Sequence, residues 1–384
     1  MAGLVVVGAG LAGLRGAEAA RRLGYAGDVT IVGDEPHRPY NRPPLSKQLL
    51  GGALDQERAF FNVDALDATW LLGRTATGLD VERRVVRLDD TELPYEKLLI
   101  ATGCRPRSLP QQLDGVHLLR TLDDALALRK AADNHQRAVI IGAGFLGCEI
   151  AATFRGLGLE VSLVDVAEYP MAILGAEVGT RAGQWHRDAG VDLHLGTGVD
   201  EVLGSDRVTG VRLSDGQTLP TDLLVVAIGA LPNSEWLLDS GLTLKNGGVL
   251  SDDRCLAVGH PEIGVAGDVA AWPHPLSDEP VRVEHWTNAA EMAITAATNL
   301  YGDEPTRYQP VLTFWSDQYD CKLRAVGLVR GADTAEVVLD EPERHKLVVE
   351  LHREGELTGA ITVNANDKHL QYRRRLQSGT STAA

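Results

Sequence analysis

Apolar and polar positions fall into a repeated pattern along the chain. The segment "LVVVGAGLAGLRGAEAARRLGYAGDVTIVGDE" opens with an apolar run and breaks at closely spaced glycines. It then passes through an alanine-rich stretch and a glycine-bearing turn to a second apolar run that ends in acids. The apolar runs predict buried strands and the alanine-rich stretch predicts a helix. The same order returns in "AVIIGAGFLGCEIAATFRGLGLEVSLVDVAE". The chain therefore contains an internal duplication of a strand–turn–helix–turn–strand unit.

Each copy carries GxGxxG at its turn. Gly8 and Gly142 allow the tight turn, Gly10 and Gly144 let a pyrophosphate approach the backbone, and Gly13 and Gly147 let helix and strand pack closely. The free N–H groups and positive dipole end of the following helix suit phosphate charge. An acid about 20 residues on can accept from a ribose hydroxyl, which here points to Asp34 or adjacent Glu35 in the first copy and Asp165 in the second. A single GxGxxG is a weak signal, whereas two copies in the same context predict two bound dinucleotides. Asp165 would repel a 2′-phosphate, and "DVAEYPM" after it has two acids and no base. NADH is expected over NADPH.

Between the copies, "EKLLIATGCRPRSLP" reads as a strand running into Ala101, Thr102 and Gly103; "TDLLVVAIGALPNSEWL" repeats the form with Gly229. Both glycine turns are placed either to lie against a cofactor or to carry the chain between domains. "PEIGVAGDVAAW" places Gly267 and Asp268 after a short strand. In "RVEHWTNAAEMAITAATNL", Asn288 and Glu291 suit a capping box at the start of a helix. From residue 306 the texture changes to alternating strands, predicting a third, α+β domain. The tail "QSGTSTAA" reads as disordered.

Composition narrows the class. A formal charge of −16 argues against non-specific binding to nucleic acid or anionic membrane. Cys104, Cys148, Cys255 and Cys321 form no CxxC or CxxxxC, so neither a redox dithiol nor a metal knuckle is expected, and a reducing compartment fits. The start "MAGLVVVGAG" reads directly as a strand and no run is long enough to span a bilayer, so a cytoplasmic protein is expected.

One stretch stands apart. "YNRPPLSK" holds two adjacent prolines beside Arg42 and Lys47, which excludes ordinary helix and central strand. Together with "GAGLAG", "ATGCRPR", "GAGFLGCEIAAT", "AIGALPN", "GVAGDVA", "RVEHWTNA" and "FWSDQYDCKLRAVGL", it resembles the FAD-dependent, NAD(P)H-linked ferredoxin reductases of bacterial oxygenase systems. These lie within the glutathione-reductase-like two-dinucleotide flavoproteins, and the likeness runs through nearly the whole chain. It implies an α/β fold with two Rossmann-like dinucleotide-binding domains and a C-terminal α+β domain. The FAD domain would be discontinuous (1–110 and 244–305), the NAD domain would be 111–243, and the C-terminal domain 306–384 with a disordered tail from about 377.

The resemblance also assigns residues. Asp268 would bind the ribityl chain, Arg42 and Lys47 would lie beside the flavin, and Glu149 would pair with Lys47. Trp286 and, from the third domain, Trp315 would approach the flavin. The residues alone leave plainer readings open: Lys47 as a turn lysine, Glu149 as decoration of its helix, and both tryptophans as core aromatics. His285 stands where the oxygenase reductases tend to have Ser or Thr, and "VEHW" is similar to apoptosis-inducing-factor-like flavoproteins instead. It would either tune the flavin or hydrogen-bond in the core.

The reaction implied is hydride transfer from NADH to FAD, then passage of single electrons to a small iron–sulfur ferredoxin serving a monooxygenase or dioxygenase. The chain would act as a monomer or a homodimer. Disulfide reductases and their peroxidase relatives need cysteine near the first module, where "RPPLSKQLLGG" has none. A monodehydroascorbate-reductase-like enzyme and an apoptosis-inducing-factor-like NADH-responsive binding protein remain as alternatives.

Overall fold

All five residues of the first apolar run, β1 (Gly3–Val7), are buried in the computed structural model, which describes residues 2–111 and 113–380. By internal contacts the chain forms two compact units. The first comprises Met1–Asn41, Ala59–Arg105 and Leu231–Leu312; the second comprises Arg42–Arg58, Pro106–Ala230 and Thr313–Ala384.

In the first unit β1 pairs in parallel with β2 (Val29–Gly33) on one side and with the strand Glu92–Ile100 on the other. Thr69–Leu72 extends the parallel sheet beyond β2, and His260–Val265 extends it beyond Glu92–Ile100. Val6, Ile31, Leu98 and Ile100 are fully buried, and each such side chain contributes about 1.5–3 kcal/mol of apolar burial. Helix α1 (Leu11–Arg22) connects β1 to β2 and lies tight on this sheet. A Cβ on Gly16 would come within 2.2 Å of Leu99 Cδ2.

The second unit repeats the arrangement. Arg137–Ile141 pairs in parallel with Glu160–Asp165 and with Leu224–Val226, and Asp192–Leu195 and Val116–His117 lie outside them. Helix α3 (Phe145–Gly156) follows the second glycine turn. A three-stranded antiparallel sheet, Val199–Gly204, Val208–Leu213 and Thr218–Pro220, closes one face through Val202, Val208, Val211 and Leu213. The C-terminal segment adds a five-stranded antiparallel sheet in the spatial order Thr313–Gln318, Cys321–Gly327, Glu356–Val363, Lys346–Arg353 and Thr334–Glu341.

Two local expectations are corrected. The helix expected to start at Asn288 starts at Trp286, with His285 as N-cap, and runs to Tyr301. Asn288 is buried and does not cap: its Nδ2 donates to Val283 O at 3.2 Å and its Oδ1 accepts from Tyr308 Oη at 2.9 Å. Tertiary partners thus claim the side chain that the local pattern assigned to capping. The tail read as disordered from about 377 continues a helix, Asn366–Thr380; residues 381–384 lie outside the described residues.

Candidate functional site: two glycine cradles and a buried ion pair

The two glycine turns have the same construction. Gly8 (φ +120°) and Gly142 (φ +102°) adopt backbone that disfavours any Cβ. A Cβ would also meet Ala101 O at 2.1 Å in the first turn and Ala227 O at 2.3 Å in the second. Gly13 and Gly147 leave no room either, since a Cβ there would lie 1.9 Å from the carbonyl oxygens of Gly8 and Gly142. Gly10 and Gly144 differ: a Cβ on either meets nothing within 4 Å. The space a pyrophosphate needs is therefore open at the glycine that must admit it.

The helix starts agree. Gly10 and Gly144 are the N-caps of α1 and α3; neither helix has a side-chain cap or an acid in its first turn. Helix α2 (Leu122–Ala132), by contrast, begins with a full capping box between Thr121 and Asp124 and has acids in its first turn. Both glycine-turn helices therefore keep donors for an outside anion, although Ala176–Asp188 and Trp286–Tyr301 also start without a side-chain cap. The residues present thus fit a dinucleotide in each turn.

The acids are not equivalent. Gly8 N donates to Val32 O and Gly142 N to Val164 O, which aligns Asp165 with Gly33 and puts Asp34 one step further on. Asp165 is tied into its own turn, accepting from Ala143 N at 2.5 Å and Ala167 N at 2.8 Å. Asp34 is exposed and accepts a local bond from Glu35 N, while Glu35 accepts from the Tyr40 hydroxyl.

Also in the first unit, the turn at Ala101–Gly103 is stapled to Asn233. Thr102 Oγ1 donates to Asn233 O at 2.7 Å, Asn233 Nδ2 donates to Thr102 O at 3.0 Å, and Asn233 N donates to Gly103 O at 2.9 Å. Gly267 (φ +79°) sits where the first turns of α1 and of Trp286–Tyr301 converge, 3.2 Å from Ala12 and 3.6 Å from Ala289 measured from its missing Cβ. Asp268 next to it accepts from Cys104 Sγ at 3.2 Å. Trp286 Nε1 donates to Asn41 Oδ1 at 2.9 Å, and His285 precedes it as the helix cap. In the second unit Gly229 (φ +93°) has open space around it.

"YNRPPLSK" holds a short 3₁₀ turn, Pro43–Ser46, with Pro43 at its first position. Arg42 and Lys47 leave it toward different partners. Arg42 donates to Arg120 O at 2.7 Å, whereas Lys47 Nζ reaches Glu149 Oε2 on α3 at 2.6 Å. Glu149 is 7% exposed. The same Oε2 accepts from Ser46 Oγ at 2.5 Å, and Oε1 accepts from Ser316 Oγ at 2.8 Å. Two hydroxyls and an ammonium together offset the cost of burying this carboxylate.

Of the residues expected to gather, Lys47 and Glu149 meet directly. Trp315 lies on the strand Thr313–Gln318. Strand alternation buries Phe314, Ser316 and Gln318 on one face and turns Trp315 and Asp317 to the other. Sequence reasoning missed Ser46, Ser316, Gln318 and His186. The first three stand inside the quoted motifs, but only the fold reveals their common target; His186 had no local signal.

The four cysteines are buried and form no disulfide, and burial pushes the thiols of Cys148, Cys255 and Cys321 up, Cys321 to about 12. Such thiols are poor nucleophiles. Among the described residues no helix is long and apolar enough to cross a membrane.

Comparison with known proteins divides the chain differently from the two compact units. The family profile described as pyridine nucleotide-disulphide oxidoreductase matches residues 2–293, and the one described as reductase C-terminal matches residues 313–384. The chain is 38% identical to rhodocoxin reductase of Rhodococcus erythropolis, covering 86% of this chain and 79% of that protein. It is 35% identical to the ferredoxin–NAD(+) reductase component of the anthranilate 1,2-dioxygenase system of Burkholderia cepacia, covering 98% and 94%. Among solved structures, putidaredoxin reductase in its covalent complex with putidaredoxin matches with a TM-score of 0.92 at 33% identity, covering 97% of this chain and 92% of that one.

Proposed function

From a chain that belongs to the pyridine nucleotide-disulphide oxidoreductase family and carries the reductase C-terminal domain, we infer an NADH-dependent FAD enzyme that delivers electrons singly to a small iron–sulfur ferredoxin. The ferredoxin would serve a monooxygenase or dioxygenase. The observation that carries this reading is the pair of open, uncapped glycine cradles, one per unit, in a chain whose cysteines are dispersed and buried. The relatives named as reductases of oxygenase systems support the choice of acceptor over a thiol, over monodehydroascorbate and over an apoptosis-inducing-factor-like binding role.

FAD belongs to the first cradle, held by Gly8, Gly10 and Gly13 with Asp34 or Glu35, Ala101–Gly103, Gly267 and Asp268. NADH belongs to the second, held by Gly142, Gly144 and Gly147 with Asp165 and Gly229. When bound, FAD supplies the conversion of a two-electron donor into one-electron output. The chain's own residues bind and orient both dinucleotides, and Lys47, fixed by Glu149, offers positive charge where reduction builds negative charge. Asp165 supports NADH over NADPH because its carboxylate stands at the end of the strand Glu160–Asp165, where a 2′-phosphate on the ribose would meet like charge. Four cysteines that form no disulfide support a reducing, cytoplasmic setting.

Anaerobic stopped-flow mixing with NADH and with NADPH tests the assignment. Rapid bleaching of flavin absorbance by NADH, with NADPH much slower at equal concentration, is expected. Slow reduction by both would refute it.

A further inference from the structure

The Lys47–Glu149 pair is the end of a longer buried chain within the second unit. Ser316 Oγ donates to Glu149 Oε1, and it accepts from Gln318 Nε2 at 3.1 Å. Gln318 Oε1 contacts His186 Nε2 at 3.2 Å, and His186 Nδ1 contacts Tyr319 Oη at 2.8 Å. His186 and Ser316 are fully buried, Gln318 is 2% exposed, and Tyr319 reaches the surface.

The polarity of this chain is determined link by link. Glu149 Oε1 has Ser316 as its donor, so the one hydroxyl proton of Ser316 points at the carboxylate, and Ser316 must accept from its other neighbour. Gln318 therefore turns its amide nitrogen to Ser316, with its second proton toward Met171 Sδ at 3.3 Å. Its oxygen is left facing His186 and can only accept, so His186 carries its proton on Nε2. His186 Nδ1 then accepts from the Tyr319 hydroxyl. Every bond points toward Glu149, and aligned bonds strengthen one another. Burial keeps His186 neutral, with its pKa lowered to about 4, as this arrangement requires.

We propose that His186 and Gln318 are positioning residues for the Lys47–Glu149 pair, locking the Ser316 proton onto Glu149 and so setting how much positive charge Lys47 presents to the cofactor. This rests on the role assigned to Lys47 above. Without the donor from Ser316, Glu149 draws more strongly on Lys47, and the pair offers less net charge to a neighbouring anion.

The test compares His186→Leu, His186→Gln, Lys47→Ala and the double variant Lys47→Ala/His186→Leu as holoproteins. The readouts are the flavin midpoint potential and the rate of flavin reduction by saturating NADH. His186→Leu is expected to lower the potential and slow reduction roughly fivefold, about the effect of one lost hydrogen bond. His186→Gln, which keeps a donor at the Nε2 position, is expected to restore both. In the Lys47→Ala background the His186→Leu change is expected to have no further effect. A folded His186→Leu protein with wild-type potential and rate, or additive effects in the double variant, overturns the proposal. If Lys47→Ala itself changes neither readout, the role of Lys47 fails first and separately. Nitrogen-15 NMR of His186 supplies a readout independent of turnover: the Nε2–H tautomer is expected, and Nδ1–H or imidazolium at neutral pH overturns the polarity.

Discussion

Lys47 and Glu149 show what burial does to a charged pair. Two charges taken out of water are costly, and the carboxylate is tolerable because three donors converge on it. Lys47→Ala leaves Glu149 with its hydroxyl donors but no counter-charge. The expected result is roughly tenfold slower flavin reduction by NADH with a lower flavin potential. Wild-type values in both would remove Lys47 from the site. For Asp165, replacement by Ala removes both the acceptor for Ala143 N and the carboxylate that disfavours a 2′-phosphate. NADH affinity should fall roughly tenfold and the preference over NADPH should shrink, read from the two dissociation constants. His186 adds a pH dependence. Its folded pKa of about 4 lies below the unfolded value near 6.5. Between those values the unfolded chain binds the extra proton, so the stability is present above pH 6.5 and is lost as pH falls toward 4. This group alone should remove about 2 kcal/mol between pH 7 and pH 5. Urea unfolding of wild type and His186→Gln at both pH values checks it, the variant losing less by that amount.

At the scale of elements, the glycine cradles were legible because their signal is local. Spacing within six residues specifies which position turns the chain, which admits a ligand and which lets the helix pack. The structure separates these roles by what a Cβ would hit. Gly144→Ala should leave thermal stability within about 0.5 kcal/mol of wild type while weakening NADH binding at least tenfold. Gly147→Ala should cost about 1–3 kcal/mol or more, because its Cβ would strike Gly142 O. Titration with NADH and a denaturant curve on each variant distinguish the two. The cap at Asn288 was misread because a local pattern says nothing about distant claims on the side chain; Tyr308 and Val283 hold it instead. That the two acids occupy different positions was also out of reach. Only the pairing of Gly8 with Val32 and Gly142 with Val164 shows that Asp165 corresponds to Gly33.

At the scale of the whole molecule, the duplication, the two parallel sheets and the C-terminal antiparallel sheet all follow from element order, which the apolar runs make visible. The buried network around Glu149 does not. Lys47 is 102 residues from Glu149 and Ser316 is 167 away, so no spacing rule links them. "RPPLSK" and "FWSDQ" were distinctive as motifs, yet their serines and glutamine acquire a purpose only when the fold brings both motifs to one helix. The central claim is that a chain with two dinucleotide cradles and no accessible thiol sends its electrons outward singly. The most direct measurement is anaerobic: the holoprotein, reduced with one equivalent of NADH, is mixed with an oxidised two-iron ferredoxin from an oxygenase system, and flavin and cluster absorbance are followed together. Fast reoxidation of the protein, with one NADH reducing a pair of ferredoxins, is predicted. A persistent charge-transfer band with the ferredoxin still oxidised would contradict the account.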